Sequence, residues 1–171
     1  MADVQMIFGI LLLLGIAFPG MLTAWWLLFP ETVGRAQYRL DTTPWKSFWL
    51  GLGLFFIITI PVGILLSAGG GVGQFLGWAI VATTLTISGI GASGIAAKMG
   101  VLLAKRSNGI SPAAAFVRGA IALELAAVFP LVGWFIVIPL AIVASLGATA
   151  FAILRWEPKQ KAVVSEAASQ A

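Results

Sequence analysis

The chain has 171 residues, of which 60% are hydrophobic and only 9% charged, with a formal net charge of +4. A domain of this size cannot bury that much apolar surface within itself, so a water-soluble globule is excluded and lipid must cover much of the outside. With no cysteine and no histidine, thiol chemistry, disulfides, the usual zinc ligand sets and axial histidines for haem are excluded as well.

The pattern predicts an all-α integral membrane bundle of five transmembrane helices, near 6–29, 45–68, 75–104, 112–129 and 131–156. The first apolar run has no Lys or Arg before it, so it reads as a retained helix rather than a cleaved signal. It is long enough for a hydrocarbon core of about 30 Å, with Pro19 as a kink and Trp25 and Trp26 near its far end. Beyond Pro30, Glu31, Arg35 and Arg39 recur four apart with Val33, Ala36 and Leu40 on another side, which predicts a short helix lying on the membrane surface.

Thr43 is the expected N-cap of the second span, with Pro44 as its first helical residue; Ser111 and Pro112 repeat that chemistry later. Pro61 interrupts the second span, and the uncharged run Ser67 to Gln74, with glycines 69–71 and Gly73, reads as a turn on the translocated side. The third span carries Thr83, Thr84, Thr86 and Ser88, then Gly89, Gly91, Ser93, Gly94 and Ala97. Such a small, weakly polar surface lets helices approach closely in lipid, which makes this helix the expected packing centre. The 112–129 helix is short for a full span, so a re-entrant or tilted helix competes. Pro130 should break it and Pro139 should kink the last span, which ends before a tail, 157–171, expected to be disordered and cytoplasmic.

Landmarks recur within the chain. Pro112, Phe116 and Gly119 match Pro44, Phe48 and Gly51 in spacing, while Gly133, Trp134, Gly147 and Ala148 match Gly77, Trp78, Gly91 and Ala92. Two helical hairpins, 43–106 and 111–156, are therefore expected as parallel repeats. With five spans, all ten basic residues fall on or nearest one side, which places the N-terminus outside and the C-terminus in the cytoplasm of a bacterial inner membrane.

Glu124 is the only acidic residue at appreciable depth, and a carboxylate in lipid needs neutralisation, a partner or water. It is either a proton or cation site, or a structural group paired with Lys98 or hydrogen-bonded to the face from Thr83 to Ser88. Arg118, on the same helix, lies off its face and is a poor direct partner. Glycines 69–73 lack the Lys that a phosphate loop requires. Without His, and with the remaining carboxylates scattered, no acid and base pair for hydrolysis is expected, so the chain reads as no enzyme and as needing no cofactor.

The set Phe29-Pro30, Arg35, Arg39, Pro44, Ser47, Gly51, Ile60-Pro61, Arg118-Gly119, Pro130, Gly133-Trp134 and Leu146-Gly147-Ala148 resembles small bacterial multi-pass proteins that accompany bactofilin-type, polymer-forming cytoskeletal proteins. That resemblance implies a membrane partner or anchor for a cytoplasmic scaffold, with no catalytic residues. The expected function is an accessory or scaffold protein that acts through helix packing, with lipid and a protein partner or second copy around it and no nucleic acid. A small oligomeric transporter or channel using Glu124 is the alternative, and a structural subunit of a larger membrane complex is a third.

Overall fold

The structure, a computed structural model, describes residues 2–106 and 109–155. All regular secondary structure among them is helical: α1 (Ala2–Leu28), α2 (Pro30–Thr42), α3 (Pro44–Ala68), α4 (Gly70–Ala104), α5 (Pro112–Val128) and α6 (Ile138–Ile153), the last preceded by a π-helical turn at Gly133–Val137. Three segments, Pro44–Ala68, Gly70–Ala104 and Gly133–Ile153, are long and apolar enough to cross a membrane. Within α1 the apolar piece Gly15–Leu28 is shorter, and α5 has 17 residues where α3 has 25. The expected tail, 157–171, and Trp156 lie outside the described residues.

Proline and glycine set the boundaries. Pro30, Pro44 and Pro112 each sit in the first turn of a helix, where a missing N–H leaves no bond unmade. Ser111 caps α5 as expected, its Oγ accepting from the Ala114 N–H at 3.3 Å. Thr43 does not cap α3; its hydroxyl turns back and donates to the Arg39 carbonyl at 3.4 Å, because the chain enters α3 straight from the last turn of α2. The glycine run is a turn but a tighter one than expected: Gly70 takes φ +56°, and α4 starts there rather than near Phe75. Helices α1 and α3 continue through Pro19 and Pro61. Pro130 ends α5, with Leu131 at φ 63°, and Pro139 opens α6 just after the π-helical turn, where Ile138 donates to the Gly133 carbonyl.

Two glycine crossings hold the long helices together. A methyl group on Gly51 would overlap Val143 O and stand 2.9 Å from Gly147 N, and one on Gly147 would overlap Ser47 O, so α3 and α6 touch backbone to backbone. The same arrangement recurs between α5 and α4, where a methyl group on Gly119 would overlap Ala96 O and stand 2.5 Å from Gly100 N, and one on Gly100 would overlap Ala115 O. Close approach of this kind replaces the hydrophobic driving force that lipid does not supply. In both crossings the residue numbers run in opposite directions, so the starts of α3 and α5 and the ends of α4 and α6 lie at one end of the bundle. Geometrically Gly147 corresponds to Gly100, not to Gly91 as the spacing implied. Gly91 faces Ser145 instead, where α4 meets α6.

Helix α1 is not aligned with this bundle. It brings Gly15 to Glu124 and Trp26 onto Phe116, yet also Leu22 to Ser93 and Trp25 to Gly89. By contact order it runs opposite to α5, while on α4 the neighbouring residues Trp25 and Trp26 reach Gly89 and the level of Ala97 and Val101, so it crosses α4. The core at that crossing consists of Leu22, Ala96, Ala97, Phe116, Ala120 and Leu123.

Candidate functional site

The most polar part of the interior lies around α2. A helix whose apolar side chains Val33, Ala36 and Leu40 form one stripe can bury that stripe in lipid headgroups or against protein. Here it does the latter: α2 is wedged between α4 and α6, a correction to the expected surface helix. The physical reason is space. Gly94 presents no side chain, so Gln37 N and the Ala36 methyl come within 3.0 and 3.1 Å of where its Cβ would be, while Ala148 and Ala152 leave room on α6. Ala36 and Ala148 are fully buried as a result.

The wedge carries charge inward. Arg39 is only 6% exposed, and its guanidinium lies 4.4 Å from the centre of the Phe151 ring, a cation–π contact out of water. Lys98 on α4 reaches the same, C-terminal end of α2, with its ammonium 3.1 Å from Asp41 Oδ1 and donating to the Leu40 carbonyl at 2.9 Å. A cation at the last carbonyls of a helix satisfies acceptors that have no partner within that helix and complements its dipole. On α6, Ser145 and Thr149 bury hydroxyls that find no acceptor or donor in this structure. Across α4, Ser93 donates to Leu22 O of α1 at 3.1 Å as well as to Gly89 O.

The residues singled out from sequence are not gathered into one site. Lys98 is spent on α2 and does not pair with Glu124. Glu124 is half-buried on α5, where its Oε1 would lie 3.4 Å from a Cβ on Gly15, and it has no ion-pair or hydrogen-bond partner among the described residues. Neither expected partner reaches it. Thr83 and Thr86 are exposed and donate to the carbonyls of Ala79 and Ala82 four residues back, and Ser88 donates to Leu85 O. The seam begins only at Ser88, with Gly89, Gly91, Ser93, Gly94, Ala96, Ala97 and Gly100 buried along α4; Thr84 is half-buried and Arg118 exposed. The expected packing centre is therefore displaced toward the end of α4, because β-branched threonines cannot let another backbone approach as glycine does.

Unequal effects are expected for the two contacts of Lys98. An ion pair whose side chains are 35% and 46% exposed contributes little, so Asp41→Asn should cost less than about 1 kcal/mol. Lys98→Met also removes the charged donor to Leu40 O and should cost about 2 kcal/mol. Unfolding titrations of the detergent-solubilised variants measure both, and equal losses would contradict this assignment.

Comparison of the chain with protein-family models, with curated proteins and with solved structures found no match.

Proposed function

We propose that this chain is a non-enzymatic, multi-pass accessory or scaffold protein of the bacterial inner membrane, working through helix packing and contacts with a cytoplasmic partner. One observation carries the reading: the buried and half-buried polar side chains that reach between elements, Ser93, Lys98 and Arg39, each fix one helix on another. In this reading α1, α3, α4, α5 and α6 all cross the bilayer, α5 and α1 tilted, with the N-terminus outside. Two hairpins, α3 with α4 and α5 with α6, act as parallel repeats joined by the glycine crossings. The gathering of Lys46, Lys98, Lys105, Arg106 and Arg155 toward one end supports that orientation, since basic residues are retained on the cytoplasmic side. That end also offers the surface for a partner, and a bactofilin-type scaffold is the class that the resemblance favours.

Cross-linking from the cytoplasmic loops in native membranes, read by mass spectrometry, tests the proposal. Recovery of a polymer-forming scaffold protein is the expected result. Recovery only of cofactor-bearing membrane subunits would replace it with a structural role in an energy-transducing complex.

The unpartnered Glu124 favours a second reading, a small oligomeric transporter. Proteoliposome flux separates the two. Substrate-dependent flux abolished by Glu124→Gln would overturn the accessory role, whereas wild-type liposomes without flux agree with it.

A further inference from the structure

A groove of about 500 Å³ opens where α4 ends and α5 begins, bordered also by α1 and α2. Its walls are mostly apolar. Trp26 and Phe116 form one side, stacked with ring centres 4.9 Å apart, and Val101 and Ala104 form the other. Among the described residues two polar side chains line it: Gln37, whose amide makes no hydrogen bond in this structure, and Lys105, which is exposed and followed by Arg106. Among the described residues no carboxylate lines the groove. Asp41, four residues after Gln37 on α2, is already matched by Lys98.

The volume falls within the range of clefts that hold one small ligand, about 300–1,000 Å³. An apolar trough with a cationic side chain at one end has the polarity of an anionic amphiphile. Its position supplies the source: under the orientation proposed above, the mouth lies at the cytoplasmic leaflet, where anionic phospholipids concentrate and attract basic side chains. We propose that this groove binds one anionic phospholipid, its acyl chain along Trp26, Phe116, Val101 and Ala104 and its phosphodiester on Lys105, with the Gln37 amide donating to a headgroup or ester oxygen. The proposal rests on the membrane reading of the chain. A free phosphate would leave the apolar walls unused, and a zwitterionic lipid would leave Lys105 opposed by its own cation.

Native mass spectrometry of the full chain, released from mild detergent after exposure to phosphatidylglycerol or phosphatidylcholine, tests this. One phosphatidylglycerol should remain bound per chain, and phosphatidylcholine should be retained at least about fivefold less, the factor corresponding to about 1 kcal/mol per basic residue at an anionic surface. Lys105→Gln should abolish the preference while leaving the helix content and melting temperature unchanged. Ala104→Phe, which fills the trough, should lower retention of both lipids. Lys46→Gln, a basic residue at the same end but away from the groove, should change nothing. Equal retention of the two lipids, or an equal loss in Lys46→Gln and Lys105→Gln, would overturn the proposal. A chain that stays monodisperse without detergent and retains no lipid of either kind would overturn the membrane reading itself.

Discussion

Gly147→Leu is expected to abolish the folded bundle. Even a methyl group at position 147 would overlap the Ser47 carbonyl on α3 and approach Gly51 N to 2.9 Å, and backbone atoms cannot step aside as a side chain can. Overpacking a well-packed core typically costs about 1–3 kcal/mol. A clash against helical backbone belongs at or above the top of that range, so even Gly147→Ala should lose about 3 kcal/mol. Gly53 and Gly63, on the same helix α3 as Gly51, have nothing within 4 Å of the position a Cβ would take. Alanine there removes only the conformational cost of glycine in a helix and should stabilise by about 0.5–1 kcal/mol. Unfolding in a graded detergent mixture, followed by circular dichroism, measures all four variants. A tolerated Gly147→Leu would mean that α3 and α6 do not touch backbone to backbone.

Arg39→Ala should be nearly as damaging. It removes a guanidinium that is 6% exposed and lies 4.4 Å from the Phe151 ring centre. It also leaves a void where the stem of the side chain covered apolar surface. A desolvated cation–π contact contributes about 2 kcal/mol, and with the lost packing the expected destabilisation is about 3 kcal/mol, in line with buried side-chain truncations. Arg39→Lys keeps the charge without the flat, stackable head group and should recover only part of the loss. Combining Arg39→Ala with Phe151→Leu decides the cause: if the two changes act through one contact, their effects fall short of the sum by about 2 kcal/mol, the contact's own contribution. Strict additivity would remove the cation–π contact from the account.

These two positions also mark what was legible in the sequence. The three long apolar helices and the turns are readable because the signals are local: apolar length, proline in the first turn, Ser111 as a cap, glycines 69–71 as a turn. Gly51 and Gly147 stand out as landmarks of the repeat from spacing alone, but spacing does not pair them with each other. Register between helices depends on where two backbones meet, which is why Gly147 corresponds to Gly100 rather than Gly91. The burial of α2 was illegible for a related reason. Its stripe of Val33, Ala36 and Leu40 suits lipid headgroups as well as protein, and only the room left by Gly94 and Ala148 on two distant helices decides between them. In the sequence Glu124 is the group that needs a partner, and Lys98 is one of two candidates for it beside the Thr83 to Ser88 face. The actual acceptors, Asp41 and the Leu40 carbonyl, became neighbours only once α2 entered the bundle. A signal for this existed in the amphipathic pattern of 33–40 beside the glycine seam of α4.

The central claim is that both hairpins enter the bilayer from one side, so that the end of α4 and the end of α6 face the same compartment. Because the chain has no native cysteine, single cysteines at Gly71, Arg106 and Arg155 can be labelled in intact cells with a membrane-impermeant maleimide. Labelling at Gly71 with protection at both Arg106 and Arg155 until the cells are opened is the predicted result. Labelling of one of the two arginine positions while the other stays protected would contradict the account.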